Sequence, residues 1–420
     1  MTLCDKRVGG AKRTLVRSTA AMYLLQIAKY IFPFITLPYL ARVLGTDGYA
    51  VRSYVLSIMT FVTMVAEFGF MNYGIAKLVE GGLEPKNTSE VTSSIMVGRL
   101  VLFIPLTAVV SVMNMTVPLM FENQAYVWLA FVAALLSSLL PDFVFRAYEE
   151  MGVITLRYVV SKGVAVLLTF LLVRSPEDLL LVPALDVVTS LIALAWSWVA
   201  ATRKFKIRIA RVSFVRVRGD LIQSSVYFVS GLSTIVFSSL TTFLLGVLNG
   251  STEEIAYWGV AMTVMNGLAA LYSPLSQSLY PYYLKKAKGN GKLSLQKLYL
   301  YCLVPLLAGA LILAALHDPV MWVLGGEAYL PGSYVILLLS PMVVVSFYVQ
   351  LSGWPSLGAV GRVAELTRTT TISMVFHLFE LFLLAIFTHY ELAYVAIARL
   401  LSELVLAILR VVECRRADII

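Results

Sequence analysis

Residues 18–77 read STAAMYLLQIAKYIFPFITLPYLARVLGTDGYAVRSYVLSIMTFVTMVAEFGFMNYGIAK. Two apolar segments flank a short polar turn, and each is long enough to cross about 30 Å of hydrocarbon at roughly 1.5 Å per residue. Only a helix satisfies its own backbone hydrogen bonds in that medium, so the stretch reads as a membrane hairpin. One lysine and one glutamate are left inside the apolar segments, Lys29 and Glu67. A charge near the centre of a spanning helix costs roughly 2.5–3.5 kcal/mol on insertion scales, so such groups face a partner or a wet cavity rather than lipid.

The rest of the 420-residue chain repeats that composition: 59% hydrophobic, 14% charged, mean hydropathy +0.84. These values exclude an ordinary soluble domain. The net charge of +9 sits in short segments between apolar runs, where topology and anionic lipid account for it, so nucleic acid is not an expected partner. Cys4, Cys302 and Cys414 show neither disulfide nor zinc spacing. The N-terminus carries the charge of a signal-peptide n-region, but the apolar run after it is too long and lacks a small-residue cleavage site.

Apolar runs predict twelve spanning helices, near 18–41, 50–72, 93–118, 125–145, 153–173, 179–201, 221–248, 255–280, 298–316, 331–353, 369–388 and 392–412. Lysines and arginines concentrate at Lys6–Arg17, Arg203–Arg218 and Lys285–Lys297, all on one side when twelve spans are counted, which places both termini in the cytoplasm. The expected organisation is a cytoplasmic segment 1–17, a six-helix bundle 18–201, a basic linker 202–220, a second six-helix bundle 221–412 and a tail 413–420. Tyr49 and Tyr257 each lie 28 residues before a lysine, Lys77 and Lys285, a coincidence that fits an internal repeat of two halves or simply two hairpins of similar length.

The chain has no Walker loop, GxGxxG or HExxH, and only three histidines, so no enzyme activity, metal or cofactor is expected. The candidates for function are the ionisable groups within spans. Lys29 shares a helical face with Gln26 and Pro33 and reads either as an anion-binding cation or as the salt-bridge partner of Glu67. Arg157 and Lys162 lie near a helix end and are placed to snorkel. Glu67, Asp142 and Asp186 are carboxylates able to exchange a proton or bind a cation. His377 and Glu380, three apart on one face, read as a proton relay or a structural pair, and Arg399 with Glu403 as a mutually neutralising i, i+4 pair.

The order of several motifs resembles the polysaccharide flippases of Wzx type. These are Pro33-Phe-Ile-Thr-Leu-Pro38-Tyr-Leu-Ala-Arg42-Val-Leu-Gly45 with Gly48-Tyr49, the acidic residue before Phe68-Gly69-Phe70, and Pro141-Asp-Phe-Val-Phe-Arg146 followed by Lys162. Tyr257-Trp-Gly259-Val-Ala261, Leu279-Tyr-Pro281 and Leu324-Gly325-Gly-Glu327-Ala-Tyr329 continue the pattern. The family commonly has aspartate where this chain has Glu67, and the tryptophan and glutamine-glycine usual near Arg146 are replaced here. The resemblance implies an all-α, polytopic membrane bundle of about 12 helices in two six-helix halves around a central cavity, in the multidrug and oligosaccharidyl-lipid exporter superfamily. It further implies alternating-access, ion-coupled transfer of an undecaprenyl-diphosphate-linked oligosaccharide across the inner membrane. On that expectation Lys29, Arg42 and Lys162 bind substrate, and Glu67, Asp142, Asp186, His377 and Glu380 couple to H⁺ or Na⁺. Partners would be membrane lipids and the polymerase and chain-length proteins of the same pathway. Tyr30, Tyr73, Gln277 and Tyr280 are candidate sugar contacts.

Two alternatives remain open at this level. A drug antiporter of the same superfamily would use the carboxylates without needing Lys29. A membrane polymerase would need a sizeable outward loop, whereas the longest expected here, around His317 to Gly332, has about 15 residues.

Overall fold

The computed structural model describes residues 3–288 and 295–420. The side chains of Lys6–Arg17, Lys285, Lys286, Lys288 and Lys292, on which the expected orientation rests, lie outside the described set, as do those of Pro274, Gln277 and Pro281. The described residues form helices and connections. The helices that carry the fold are α1 (Leu3–Glu67), α2 (Phe70–Gly81), α3 (Pro85–Thr116), α4 (Gln124–Ser138), α5 (Asp142–Ala147), α6 (Met151–Leu172), α7 (Leu181–Phe205), α8 (Phe214–Ile235), α9 (Thr252–Lys288), α10 (Gln296–Ala315), α11 (Met342–Ser352), α12 (Val363–Phe387) and α13 (Leu392–Arg416).

Among the described residues, ten stretches are long and apolar enough to cross a membrane. The first, Ala20–Gly81, has 62 residues and bends at Gly45 (φ 68°, ψ −173°), which provides for two crossings. Helix α8 continues in π geometry through Val236–Leu240 and Leu245–Asn249, adding a further rod, so each of the twelve expected segments has a helical counterpart. The lipid-compatible exterior is explicit on α10, where Leu300, Val304 and Leu311 are 60, 72 and 70% exposed. In hydrocarbon these side chains are at home outside, and polar ones turn inward.

Contacts divide the chain into two compact units, Met1–Thr36 with Val55–Leu232, and Leu37–Tyr54 with Ser233–Ile420. By this measure the main division falls at 232/233, beyond the 202–220 linker.

In the first unit α7 packs on both α4 and α6, and α2 on α5. Phe70, Ile95, Phe143, Phe145 and Phe205 form its buried centre. The second span is broken directly after Glu67. Phe68 and Gly69 both take positive φ (41° and 73°), and helical bonding resumes with the Tyr73 N–H on the Gly69 carbonyl. Close approach explains the glycine, since a Cβ at Gly69 would stand 2.6 Å from the Ser224 carbonyl oxygen of α8. Phe68 stacks on Phe228 at 4.6 Å.

The fourth expected span is interrupted before Asp142, with Pro141 as N-cap of α5, whereas Pro105 and Pro305 sit inside unbroken helices. The basic linker is laid along α3. Its non-helical backbone N–H groups at Arg208 and Ala210 donate to Ser89 and Ser93 Oγ at 3.0 and 2.9 Å, hydroxyls one helical turn apart, and Arg216 pairs with Glu90 at 2.7 Å.

In the second unit α13 packs on α11 and α12, and α11 on α9 and α10. The hairpin tip 37–54 is fastened into it. Arg42 Nη2 donates to the Trp322 and Val323 carbonyls (3.1 and 2.8 Å) at the end of helix His317–Gly325, and Thr252 Oγ1 donates to Asp47 at 2.9 Å. Tyr329 donates to the Gly45 carbonyl at 3.0 Å, at the kink itself. Tyr49 and Tyr257 meet the Tyr329 ring edge-on at 6.2 and 5.9 Å. Contact with a shared tyrosine thus joins the two residues singled out as repeat-related.

Candidate functional site

The first unit holds a cluster of charges where the sequence is otherwise apolar. Lys29 of α1 lies within electrostatic reach of Glu67, Asp142, Arg146 and Arg157, and Arg99 of α3 within reach of Glu67 and Asp142. Four cations therefore share one neighbourhood with two carboxylates. Arg157, on α6, takes up Asp142 with both nitrogens, Nη1 to Oδ1 at 2.6 Å and Nη2 to Oδ2 at 2.9 Å, and Nη1 also donates to Ser197 Oγ at 2.6 Å. The pair is shielded, the side chains being 4 and 15% exposed. A bidentate pair of this kind makes Arg157 the counter-ion of Asp142.

The remaining cations are less committed. Lys29 is exposed and, among the described residues, makes no ion pair, so the salt bridge to Glu67 does not form. Arg99 is fully buried. Its Nη1 donates to the Leu140 carbonyl at 3.0 Å, left without a helical donor by the interruption before α5, while Nε and Nη2 have no hydrogen-bond partner among the described residues. Arg146 Nε is likewise without one. Unsatisfied guanidinium N–H groups in a dry site are costly and suit carboxylate or phosphate oxygens.

Lys162 and Asp186 form their own pair at 2.7 Å, both more than 40% exposed. Arg42 belongs to the second unit and donates to backbone carbonyls there.

The second unit has a different polar centre. His377 is fully buried, with Nδ1 2.7 Å from Ser402 Oγ and Nε2 3.0 Å from Thr241 Oγ1. Ser402 Oγ donates to Glu380 Oε2. Arg399 pairs with Glu403 at 2.8 Å across one turn of α13.

Of these groups, sequence reasoning missed Arg99. It lies in the third expected span behind Gly98, where it read as part of an apolar run; a search for single cations inside spans finds it. It also missed the Ser402 and Thr241 hydroxyls, which carry no charge signal.

Among the described residues the chain is helical throughout, with twelve rods and polar centres buried inside each unit, as in a polytopic membrane protein. Solved structures agree on the fold. A MATE family multidrug-resistance transporter of the MOP superfamily in an inward-facing conformation superposes with a TM-score of 0.63 at 15% identity, covering 94% of this chain and 98% of that one. A MOP superfamily transporter from Pyrococcus furiosus gives 0.54 at 14% identity, covering 96% of each chain. Residues 15–285 match the family described as Polysaccharide biosynthesis protein, and the chain belongs to that family. Two relatives carry the name "Putative O-antigen transporter". That of Escherichia coli K12 is 25% identical over 349 residues, 81% of this chain and 82% of its own length. That of Shigella dysenteriae is 24% identical over 375 residues, 86% and 90%. The resemblance to the Wzx-type flippases therefore holds over most of the chain.

Proposed function

We propose that this chain is a flippase that carries an undecaprenyl-diphosphate-linked oligosaccharide across the cytoplasmic membrane by ion-coupled alternating access, without enzymatic chemistry of its own. The observation that carries the reading is the excess of cations around Lys29, Arg99 and Arg146 within membrane-spanning helices of the first unit. A diphosphate is the part of such a substrate most costly to bring into a low-dielectric interior, and Lys or Arg donors offset that cost by charge-assisted hydrogen bonds. The lipid tail needs no protein site, and the sugar is held by polar and aromatic side chains such as the exposed Tyr30, next to Lys29.

In this reading Lys29 is the first contact of the phosphates, being exposed and unpaired among the described residues. Arg42 and Lys162 are weaker candidates, because carbonyls and Asp186 already engage their donors. The names of the two O-antigen transporter relatives support a lipid-linked polysaccharide precursor as cargo. The polymerase and chain-length proteins of the same pathway would act on the product at the outer leaflet, and both termini would be cytoplasmic.

Deleting the gene in its host tests this. The expected result is lipid-linked oligosaccharide accumulating on the cytoplasmic leaflet, rescued by the wild-type gene and not by a folded Lys29→Ala. If lipid-linked sugar is distributed normally while sensitivity to cationic compounds rises, the chain is a drug antiporter and the flippase reading fails.

A further inference from the structure

We propose that the chain Thr241–His377–Ser402–Glu380 in the second unit is a reversible binding site for one proton, and that H⁺ is the ion coupled to transport. The coupling half of this rests on the transporter reading above; the proton site does not.

The hydrogen bonds have a direction. The single Ser402 hydroxyl proton goes to Glu380 Oε2, so Ser402 Oγ receives from His377 Nδ1 at 2.7 Å. Nδ1 therefore carries the proton of a neutral ring, and Nε2 accepts from the Thr241 hydroxyl at 3.0 Å. In this direction the chain ends in a Glu380 carboxylate served by neutral donors, with one uncompensated negative charge.

The other ionisable groups that face it are already matched. From α13, Arg399 pairs with Glu403 at 2.8 Å and lies over the Phe237 ring at 5.5 Å, and Glu403 takes a second hydrogen bond from Ser346 of α11. From the π segment Phe237 lies 5.4 Å from the His377 ring, Thr241 follows that segment, and Ser373 of α12 donates to the Ser402 carbonyl. No further charged group is in contact with the chain among the described residues.

A proton arriving at Nε2 turns Thr241 from donor to acceptor. The Nδ1 proton passes to Ser402 Oγ, and the Ser402 proton passes to Glu380 Oε2. One proton is taken up, none is released, and the net charge of the chain goes from minus one to zero. Each hydrogen bond reverses while the heavy atoms keep their places, so one arrangement accommodates both states. A proton-linked carrier needs that reversibility.

The other carboxylates expected to couple to an ion lack this arrangement. Asp142 is gripped by Arg157, Asp186 is paired with Lys162, and Glu67 lies within reach of Lys29 and Arg99, so each already has a cation beside it. Helix geometry supplies a second observation. Thr241 begins a single α turn, Thr241–Leu244, set between the π segments Val236–Leu240 and Leu245–Asn249. π turns inside helices mark functional positions, and this one brings to His377 the hydroxyl that must reverse on protonation.

The test is infrared difference spectroscopy of the purified protein in lipid nanodiscs, titrated across the range in which histidine and a buried carboxyl exchange protons. A protonated-carboxyl C=O band is expected in wild type, retained in Glu67→Gln and lost in Glu380→Gln. Ser402→Thr should keep the band, and Ser402→Ala should move its midpoint by about one to two pH units. If Glu380→Gln does not fold, the Ser402 pair decides the matter, since an unmoved midpoint in Ser402→Ala overturns the relay. A band that persists in Glu380→Gln, or no titrating carboxyl band at all, overturns the site.

Coupling is read in proteoliposomes loaded with lipid-linked oligosaccharide. Flipping that runs in wild type independently of an imposed pH gradient overturns the choice of H⁺. No flipping at all, with the Glu380 band still titrating, leaves the proton site standing and counts against the transporter reading instead.

Discussion

Arg157 and Asp142 hold each other through two parallel hydrogen bonds of 2.6 and 2.9 Å, almost closed off from the surface of the first unit. They tie α6 to the start of α5, where the fourth span is interrupted. Breaking one side of a buried pair leaves a charge with no counter-ion and costs about 3–5 kcal/mol. Arg157→Met should therefore lower the thermal midpoint of the detergent-solubilised protein sharply. The double variant Arg157→Met with Asp142→Asn should recover much of the loss, because the stranded charge is removed with its partner. A double variant no better than the single would show that the arginine acts by packing.

The break after Glu67 gives a paired comparison of glycines. Gly69 has φ +73° with Ser224, Tyr227 and Phe228 atoms inside 3 Å of a would-be Cβ, whereas Gly82 has φ +82° with open space around it. Gly82→Ala should cost only the backbone strain, about 1–2 kcal/mol. Gly69→Ala adds a clash with the α8 backbone and should abolish most folded, membrane-inserted protein, read by fluorescence-detected gel filtration.

At the hairpin tip, Tyr329→Phe removes one hydrogen bond to the Gly45 carbonyl and should cost about 1 kcal/mol. Gly332→Ala should cost more, since its Cβ would stand 2.1 Å from Cγ of the Tyr257 ring. The order of the two thermal midpoints checks the tyrosine cluster as the fastening of the tip.

The exposed Lys162–Asp186 pair should behave differently from the buried one. Its side chains are 41 and 44% exposed, and a pair open to that degree contributes about 0–1 kcal/mol. Lys162→Ala should leave the thermal midpoint nearly unchanged, and a loss like that of Arg157→Met would assign Lys162 a role beyond this pair.

What could be read from the sequence follows from the range of each interaction. Hydropathy located the spans because every spanning residue contributes to it, and Arg399 with Glu403 was legible as a pair because one helical turn separates them. Asp142 with Arg157, fifteen positions apart on separate helices, had no such local signal. The break at Phe68–Gly69 was hidden because an apolar run continues through it; only the crowding against Ser224 shows why a glycine stands there. Thr241 and Ser402 were invisible for the opposite reason, since hydroxyls are ordinary in packed spanning helices and gain meaning only from standing beside His377 and Glu380.

The central claim is tested most directly by reconstituting the purified protein in liposomes that carry an undecaprenyl-diphosphate-linked oligosaccharide and following its transfer between leaflets with an impermeant sugar-modifying reagent. The account predicts transfer that depends on the protein, is lost in Lys29→Ala and is largely kept in Lys29→Arg, with all three forms equally folded. Transfer by Lys29→Ala at the wild-type rate would contradict the cationic contact on which the reading stands, and no transfer by the wild-type protein would contradict the flippase itself.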